Sequence, residues 1–158
     1  MLFFLSTPEF NNTQSNTQNV KVHLRNGIAQ IFDQHQDLMG LVDNNIVEVE
    51  TASEKTMFVV QDAVFVVSTK GLDQKAEVTG TSVYIYARRA KEIKSTVSLD
   101  ELAKLTEQKN SEVDALTKVV NEETDPSGRT RLTSKLALIK DEVAFLKKVS
   151  TLVKEVKG

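Results

Sequence analysis

Residues 95–158 read STVSLDELAKLTEQKNSEVDALTKVVNEETDPSGRTRLTSKLALIKDEVAFLKKVSTLVKEVKG, and this stretch predicts two helices folded back on each other. Apolar residues recur at spacings of three and four through Ser98–Glu123 and again through Thr130–Val156, which indicates one apolar stripe along each helix. Between them, Asp125-Pro126-Ser127-Gly128 is typical of a turn, since Pro sets φ and Gly allows positive φ. A narrow stripe needs a partner helix, so the sequence predicts an antiparallel helical hairpin. The stripe residues are Leu99, Leu102, Leu105, Val113, Leu116 and Val120, with Lys109 where another apolar residue is expected, and then Leu132, Leu136, Ile139, Val143, Leu146, Val149 and Val153.

The two predicted helices carry opposite charge. From Ser98 to Asp125, eight acidic residues against three basic ones make a net charge of −5, and from Arg129 to Lys157 the reverse counts make +5. Antiparallel arms of opposite charge attract along their flanks, each exposed pair contributing ~0.2–1 kcal/mol. The alternative is two solvated faces whose charges have no specific partner. Ser98 and Glu101 fit a capping box at the start of the first helix.

Composition restricts the class of protein. A chain of 158 residues suits one domain or two small ones, and its net charge of −2 provides no bulk attraction to nucleic acid or an acidic membrane. The absence of cysteine excludes disulfides, thiolate catalysis and Cys-ligated metals, and it fits a reducing cytoplasm. The apolar opening Met1–Leu5 ends at Ser6-Thr7-Pro8, which is too short for a signal peptide or a membrane span. We therefore expect a cytoplasmic protein.

The first part of the chain predicts short strands at close spacing, rich in Val and Ile and separated by turn residues, which is typical of an antiparallel sandwich or flattened barrel. A shift towards Ala, Lys and Glu over Arg88–Lys94 indicates a domain boundary. The predicted fold class is α+β in two parts: an N-terminal antiparallel β-sandwich or flattened barrel, residues 1–94, followed by a C-terminal antiparallel two-helix hairpin, residues 95–158. The predicted strands are Leu2–Leu5, Val20–Leu24, Ile28–Phe32, Leu38–Val42, Ile46–Glu50, a hairpin of Thr56–Val60 and Ala63–Ser68 around Gln61-Asp62, an edge strand at Lys75–Thr79, and Ser82–Ala87, with Asn11–Asn19 as a flexible polar loop.

Catalytic constellations are scarce. His23 lies in an alternating strand, which favours a solvent-facing or partner-facing side chain over a catalytic base. His35 lies between Asp33 and Asp37, a set that could ligate a metal, although a polar turn explains it more simply. No Gly-x-Ser-x-Gly elbow, phosphate loop or dinucleotide fingerprint occurs. The basic residues near Tyr84 and at the hairpin tip make a weak case for nucleic acid, because the acidic arm is expected close by.

The order of these segments resembles the epsilon subunit of F-type ATP synthases over nearly the full chain. Each motif is short, and it is their succession at matching spacings that carries the resemblance. Leu5-Ser6-Thr7-Pro8-Glu9 resembles the family's opening strand and Thr-Pro-Glu-Gly turn, with Phe10 in place of Gly, and Gly27–Phe32 with His35 and Leu38 matches its Gly-Ile-Leu-Pro-x-His-x-Pro-Leu segment. Leu41 and Ile46–Val49 fit the family's next strand, and Ala63–Val67 resembles its Gly-Gly-Phe-x-x-Val strand. Ser82–Ile93 resembles its last strand and the segment that leaves it.

This resemblance implies a rotor part rather than an enzyme, with no catalytic, cofactor-binding or metal-binding residue. The family's β domain binds a gamma-like shaft beside a membrane ring, so this chain would be peripheral to the membrane within a larger complex. The family's hairpin either lies on the β domain or extends along gamma, where its basic second helix meets the catalytic alpha/beta-type subunits and inhibits ATP hydrolysis. The expected partner-contact residues are His35, Leu38, Arg88, Arg89, Arg129, Arg131 and Lys135.

The departures from the family pattern are also informative. Asp33, Gln34 and Gln36 replace the prolines around the His turn, so we expect either a membrane ring or its replacement beside that turn. Ala103 replaces the arginine of the family's ATP-binding Ile/Leu-Asp-x-x-Arg-Ala motif, so no ATP binding by this subunit is expected. Such divergence fits an F-type-like ATPase of a reduced, AT-rich genome, as in mycoplasmas, where some of these complexes drive work other than synthesis, including gliding.

Two other classes of function are left open by the residues. One is a free-standing adaptor that uses its β domain and hairpin to clamp other proteins. The other is a small β-domain enzyme or metal protein centred on His35.

Overall fold

The computed structural model describes residues 1–70, 80–94 and 97–157. Within them, eight strands are followed by two helices, and the chain divides into two compact units, Met1–Lys94 and Ser95–Gly158. The α+β class, with a β-sandwich followed by a helix pair, is thus confirmed. The elements are β1 (Leu2–Ser6), β2 (Asn11–Gln14), β3 (Thr17–Leu24), β4 (Gly27–Phe32), β5 (Leu38–Val42), β6 (Asn45–Thr51), β7 (Lys55–Ser68), β8 (Ser82–Glu92), α1 (Leu99–Glu122) and α2 (Pro126–Lys157).

The strands form one open sheet in the order β2-β1-β8-β7-β6-β3-β4, and β5 pairs with β7 beside this path. Neighbouring strands are antiparallel except for β1 and β8, which are parallel. The expectation of a wholly antiparallel sheet was wrong at this pair. Parallel neighbours need a long connection, and here most of the β unit separates the two strands in sequence.

The predicted hairpin around Gln61-Asp62 was also wrong, because β7 continues straight through these residues. Both halves of β7 pair with β8 in a single register, so the chain does not reverse direction. Asp62 has a φ of 48°, a left-handed conformation that Asp tolerates better than most residues. At the same level, β7 changes its other neighbour from β6 to β5. Gln61 and Asp62 therefore mark the point at which β7 passes from the layer that contains β6 to the layer that contains β5.

Alternating side chains of these strands enclose one apolar core. The rings of Phe3 in β1 and Phe58 in the first half of β7 stack with centroids 6.0 Å apart, joining the two layers. Fully burying a side chain of this kind stabilises the fold by ~1.5–3 kcal/mol. The core comprises Phe3, Leu5, Val20, Val22, Ile31, Val42, Val47, Val49, Phe58, Val60, Ala63, Phe65, Val67, Val83, Ile85 and Ala87.

Two further sequence predictions were wrong, and a third cannot be compared with the structure. The polar stretch Asn11–Asn19 is not a flexible loop: it contains the edge strand β2 and the start of β3, because its backbone pairs with β1 and β6 and buries Thr17. The composition shift after Ala87 does not end the last strand, since β8 continues to Glu92 alongside β7. The predicted edge strand at Lys75–Thr79 lies outside the described residues.

The helix starts follow capping chemistry. Ser98 caps α1, its hydroxyl accepting the Glu101 backbone N–H at 3.3 Å, as the capping box predicts. α2 begins at Pro126, four residues before the predicted Thr130. Asp125 caps it by accepting the Gly128 N–H at 2.9 Å, and Pro126 occupies the first helical position, where a missing N–H costs nothing. The predicted turn is therefore mostly helix.

The helices bury their predicted stripes unevenly. Leu102 and Val120 are buried in α1, whereas α2 buries a wider face that includes Phe145 and Leu152, which lie outside the predicted stripe. Lys109, at the polar position of the stripe, pairs with Glu112 at 3.4 Å and across the hairpin with Glu142 at 3.7 Å. The pair between Lys109 and Glu142 joins a basic residue of the acidic arm to an acidic residue of the basic arm. It therefore does not test the predicted attraction between the two arms, which stays a prediction.

Candidate partner-binding surface

The outward side of the layer formed by β5, β7, β8 and β1 carries two cross-strand rows of side chains. Their registers follow directly from the strand pairing. One row is Phe4–Tyr84–Val66–Met39 and the other is Ser6–Tyr86–Val64–Leu41. Neither row contains a charged residue. We call these eight residues the apolar face.

The apolar face is most exposed where it reaches β5. The Phe4 and Tyr84 rings stack with centroids 5.0 Å apart and an interplanar angle of 4°, and Tyr84 is buried. Met39 and Leu41 at the opposite end are 72% and 74% exposed. Isolated exposed apolar side chains are ordinary, but contiguous rows of them mark interaction sites. The apolar face is therefore the strongest candidate for a partner-binding surface in the β unit.

A shallow depression of about 330 Å³ adjoins the apolar face, and Leu38, Met39 and Val66 help to line it. Leu38 is the first residue of β5 and partly exposed. The predicted contact residues His35 and Leu38 thus lie close in sequence to the apolar face, and His35 itself donates a hydrogen bond from Nδ1 to the Gln36 carbonyl at 2.8 Å.

The loop that carries His35 is fixed by its two carboxylates. Asp33 accepts the backbone N–H groups of Gln34 at 3.0 Å and Thr81 at 3.2 Å, whereas Asp37 accepts the N–H of Thr69 at 2.8 Å. Hydrogen bonds from the Thr81 backbone, the Gln34 backbone and the Thr81 hydroxyl hold the pKa of Asp33 below its ordinary value, because they stabilise the ionised form. Each carboxylate therefore anchors the loop to a different neighbouring segment.

The metal hypothesis for Asp33, His35 and Asp37 gains no geometric support from this arrangement. Across residues 1–70, 80–94 and 97–157, no group of three or more His, Asp or Glu residues is placed to hold a metal ion. In the same part of the chain, no helix is both long enough and apolar enough to cross a membrane.

The outward side of the other layer carries polar and charged residues on β3 and β6 and the exposed apolar residues Ile28 and Phe32 on β4. His23 lies there as alternation predicts, with Nε2 2.7 Å from Glu48, which also pairs with Lys55. Partial burial raises the pKa of Glu48, but hydrogen bonds and charge from Lys55 and His23 outweigh it, so the pKa lies below its ordinary value. The His23 ring is thus hydrogen bonded to a carboxylate that also pairs with Lys55.

The predicted contact residues Arg88 and Arg89 lie at the level where β7 passes between the layers. Arg88 Nη1 is 3.2 Å from Asp62 Oδ2, and Arg89 Nη1 donates to Gln61 Oε1 at 2.7 Å. Both guanidinium groups therefore bind residues of β7. Their role in partner contact stays a prediction.

The remaining predicted contact residues, Arg129, Arg131 and Lys135, are exposed in the first turns of α2. They belong to the helical unit and the apolar face to the β unit, so each unit has one candidate surface. Ala103, the position of the missing family arginine, is exposed on α1 and lines a groove of about 550 Å³ within the hairpin. The absence of ATP binding there stays a prediction.

The sequence analysis did not predict the apolar face, because it interpreted Leu38–Val42 and Ala63–Val67 only as strands. A signal for it was present, because both segments are apolar at consecutive positions instead of alternating. Continuous apolar runs are typical of strands covered on both sides.

Comparison with known proteins gives a likeness of fold. No family model matches the chain, and no curated protein matches it. A chain of the Euglena gracilis mitochondrial ATP synthase, from the cryo-EM structure of OSCP/F1/c-ring in rotational state 1, is similar with a TM-score of 0.57 and 13% identity, over 99% of this chain and 80% of that one. A chain from the central stalk/c-ring structure of the Tetrahymena thermophila mitochondrial ATP synthase has a TM-score of 0.47 and 10% identity, over 94% and 95%. The first likeness shows that this chain shares its fold with a chain of an ATP synthase.

Proposed function

We propose that the protein is an epsilon-type central-stalk subunit of an F-type or F-type-like rotary ATPase. The observation that carries the proposal is the extent of the Euglena likeness, which spans 99% of the chain and so includes both the β unit and the helix pair. The likeness itself does not name a subunit, and the assignment to an epsilon-type subunit rests on the segment order that resembles the epsilon family. In this role the chain is a non-catalytic part, located on the cytoplasmic side and peripheral to the membrane.

The apolar face supports binding to a gamma-like shaft subunit. A rotor subunit must stay attached while torque passes through the stalk. This requirement favours an apolar binding surface, because its exposure to water on dissociation costs free energy. Its two rows place Met39, Leu41 and Tyr86 where a partner can cover them, and burial of such side chains contributes ~25 cal/mol per Å² of apolar area. Without charges in the rows, contact with an apolar partner incurs no desolvation of ions.

The helix pair supports a regulatory role. The exposed basic residues Arg129, Arg131 and Lys135 occur within the first turns of α2, and their charge suits contact with acidic loops of catalytic alpha/beta-type subunits. A hairpin that alternates between pairing with itself and pairing with such loops is a two-state element, and it inhibits hydrolysis only in the second state. The N-terminal β unit of this chain has a second proposed partner, which is a membrane ring or its replacement.

A gentle pull-down of the tagged full chain, with every partner identified, tests the proposal. We expect a gamma-like subunit and catalytic subunits, and we expect Leu41→Lys to lose them. Ile28→Lys is the matched control, because Ile28 is an exposed apolar residue on the other layer. Hydrolysis by the recovered complex should increase when residues 129–158 are deleted.

Recovery of the chain with no ATPase subunits would refute the rotor role. Recovery with unrelated proteins, again sensitive to Leu41→Lys, would support the adaptor reading instead. Loss of partners with Ile28→Lys but not with Leu41→Lys would refute the assignment of the apolar face.

A further inference from the structure

β4 is an edge strand with an unusual composition. Among the described strands it pairs with β3 alone, and it ends the order of the sheet. Its six residues, Gly27-Ile28-Ala29-Gln30-Ile31-Phe32, include no charge and no proline. Ile28 and Phe32 are 58% and 52% exposed on it.

The hairpin that joins β3 to β4 decides which backbone groups of β4 are free. A two-residue turn, Arg25-Asn26, is closed by the pair Leu24 and Gly27. The closing pair of such a turn is hydrogen bonded, and hydrogen-bonded pairs then alternate along the ladder. Ile28, Gln30 and Phe32 belong to the other set, so their N–H groups point away from β3. The carbonyl of Phe32 accepts the His35 N–H at 3.2 Å.

The other edge strands carry protection that β4 lacks. Proteins usually blunt edges with charges, proline, bulges or short polar strands. β2 is polar throughout, and β5 is flanked by Asp37 and Asp43. In an antiparallel pairing of β5 with β5 of a second copy, centred on Gly40, Asp37 of one copy would face Asp43 of the other and repel it. The strand β4 has no such pair of carboxylates at its ends.

We propose that β4 pairs with β4 of a second copy of this chain. In an antiparallel pairing with two-fold symmetry, Gln30 of one copy faces Gln30 of the other, and Ile28 of each copy faces Phe32 of the other. This register uses only residues whose N–H groups point away from β3, and it makes about four backbone hydrogen bonds, since each Phe32 carbonyl already accepts the His35 N–H. It also places an aromatic residue opposite a β-branched one in both outer pairs, a favourable cross-strand combination, and two neutral amides at the centre.

The side-chain pattern favours a second copy as the occupant because β4 is complementary to itself. The contact involves one short strand from each copy, so it is smaller than a standard interface and the dimer is weak, with a dissociation constant on the order of 0.1–1 mM. The two-fold axis closes the assembly at two copies, since each chain has one β4. The proposal goes beyond the rotor role and does not depend on it.

Sedimentation of the full chain between about 10 µM and 1 mM tests the proposal. We expect a concentration-dependent monomer–dimer equilibrium that Ile28→Lys weakens at least about tenfold. Leu41→Lys, which alters the apolar face, should leave the equilibrium within about twofold. Gln30→Pro is a second variant: it removes an outward N–H and leaves the β3 ladder intact, so it should also weaken the dimer. In hydrogen exchange, the amides of Ile28 and Gln30 should become more protected as concentration increases.

A chain that is monomeric throughout this range would overturn the proposal. So would a dimer that Leu41→Lys abolishes and Ile28→Lys leaves unchanged, because the apolar face would then be the contact. Concentration-independent exchange of the Ile28 and Gln30 amides in a dimeric sample would overturn it as well.

Discussion

Gly40 in β5 is predicted to be intolerant of any side chain. A Cβ at this position would lie within 2.8 Å of Phe65 Cζ and closer still to Phe65 Cε1. The two residues are cross-strand partners, and Phe65 is 1% exposed, so its ring has no room to move away. The backbone of Gly40 does not have a positive φ, so the cost of a substitution is steric. Overpacking of this kind costs ~1–3 kcal/mol.

We therefore expect Gly40→Ala to destabilise the β unit by about 1–3 kcal/mol. For a unit of this size the unfolding midpoint falls by about 4–8 °C per kcal/mol, so the decrease is at least about 4 °C. Tyrosine fluorescence follows this unit alone, because the chain has no Trp and its two Tyr, Tyr84 and Tyr86, lie in β8.

Phe65→Leu is the partner variant in a double-mutant cycle. The smaller side chain creates space beside residue 40, so the double variant should be more stable than the two single costs predict, by about 1 kcal/mol or more. Gly27→Ala is the control: nothing lies within 4 Å of a Cβ there, and its cost comes from a φ of 150°. Phe65→Leu should not reduce that cost. A Gly40→Ala variant within about 0.5 kcal/mol of the parent, or a cost that Phe65→Leu leaves unchanged, would refute this reasoning.

Two further predictions concern ionic groups. Lys109→Leu should stabilise the hairpin by about 1 kcal/mol, because a leucine on the apolar stripe gains more burial than the two partly exposed ion pairs contribute; hydrogen exchange of the α1 and α2 amides should slow about fivefold, and faster exchange would contradict the packing argument. The pKa of Asp33 lies below its ordinary value, so its stabilisation is complete above the ordinary carboxyl pKa and is lost as pH falls through the folded-state pKa. Asp33→Asn should therefore reduce the loss of stability between about pH 5 and pH 2, as measured by unfolding midpoints; a loss equal to the parent's would show that the Thr81 contacts do not stabilise the ionised form.

The helices could be predicted because their signals are local. The spacing of apolar residues and the Ser98–Glu101 capping pair lie within a few turns of each other, and α1 begins and ends within one residue of its predicted bounds. The start of α2 was misplaced because Pro126 and Gly128 suit either a turn or a first helical turn. The hydrogen bond from Gly128 to Asp125 decides between them, and this preference is not visible in composition.

The errors in the β unit arise where polar residues occupy paired strands. Gln61 and Asp62 look like a turn in sequence, yet their neighbours are held in β7 by pairing with β8, and Arg88 and Arg89 bind their side chains. Asn11–Gln14 looks like a loop, yet β1 provides a strand for it to pair with. In both places tertiary pairing overrides local propensity, and no local pattern contains that information.

The candidate site was predictable only in part for the same reason. His35 and Leu38 were chosen by resemblance and lie close in sequence to the apolar face. The face itself combines residues of β1, β5, β7 and β8, and its rows exist only once the registers between these distant segments are known.

The contrast between strands of this one sheet nevertheless ties composition to function. β3 alternates as a water-facing strand should, with Val20 and Val22 in the core and Lys21 and His23 outside. The second half of β7 places Phe65 and Val67 in the core, but Val64 and Val66 still lie outside. Two layers enclose only one core, so a strand that is apolar on both sides has one face that the sandwich cannot cover. The departure from alternation at Ala63–Val67 is therefore the feature on which the proposed partner contact of this layer rests, because an apolar outward row is more stable when it is covered than when it faces water.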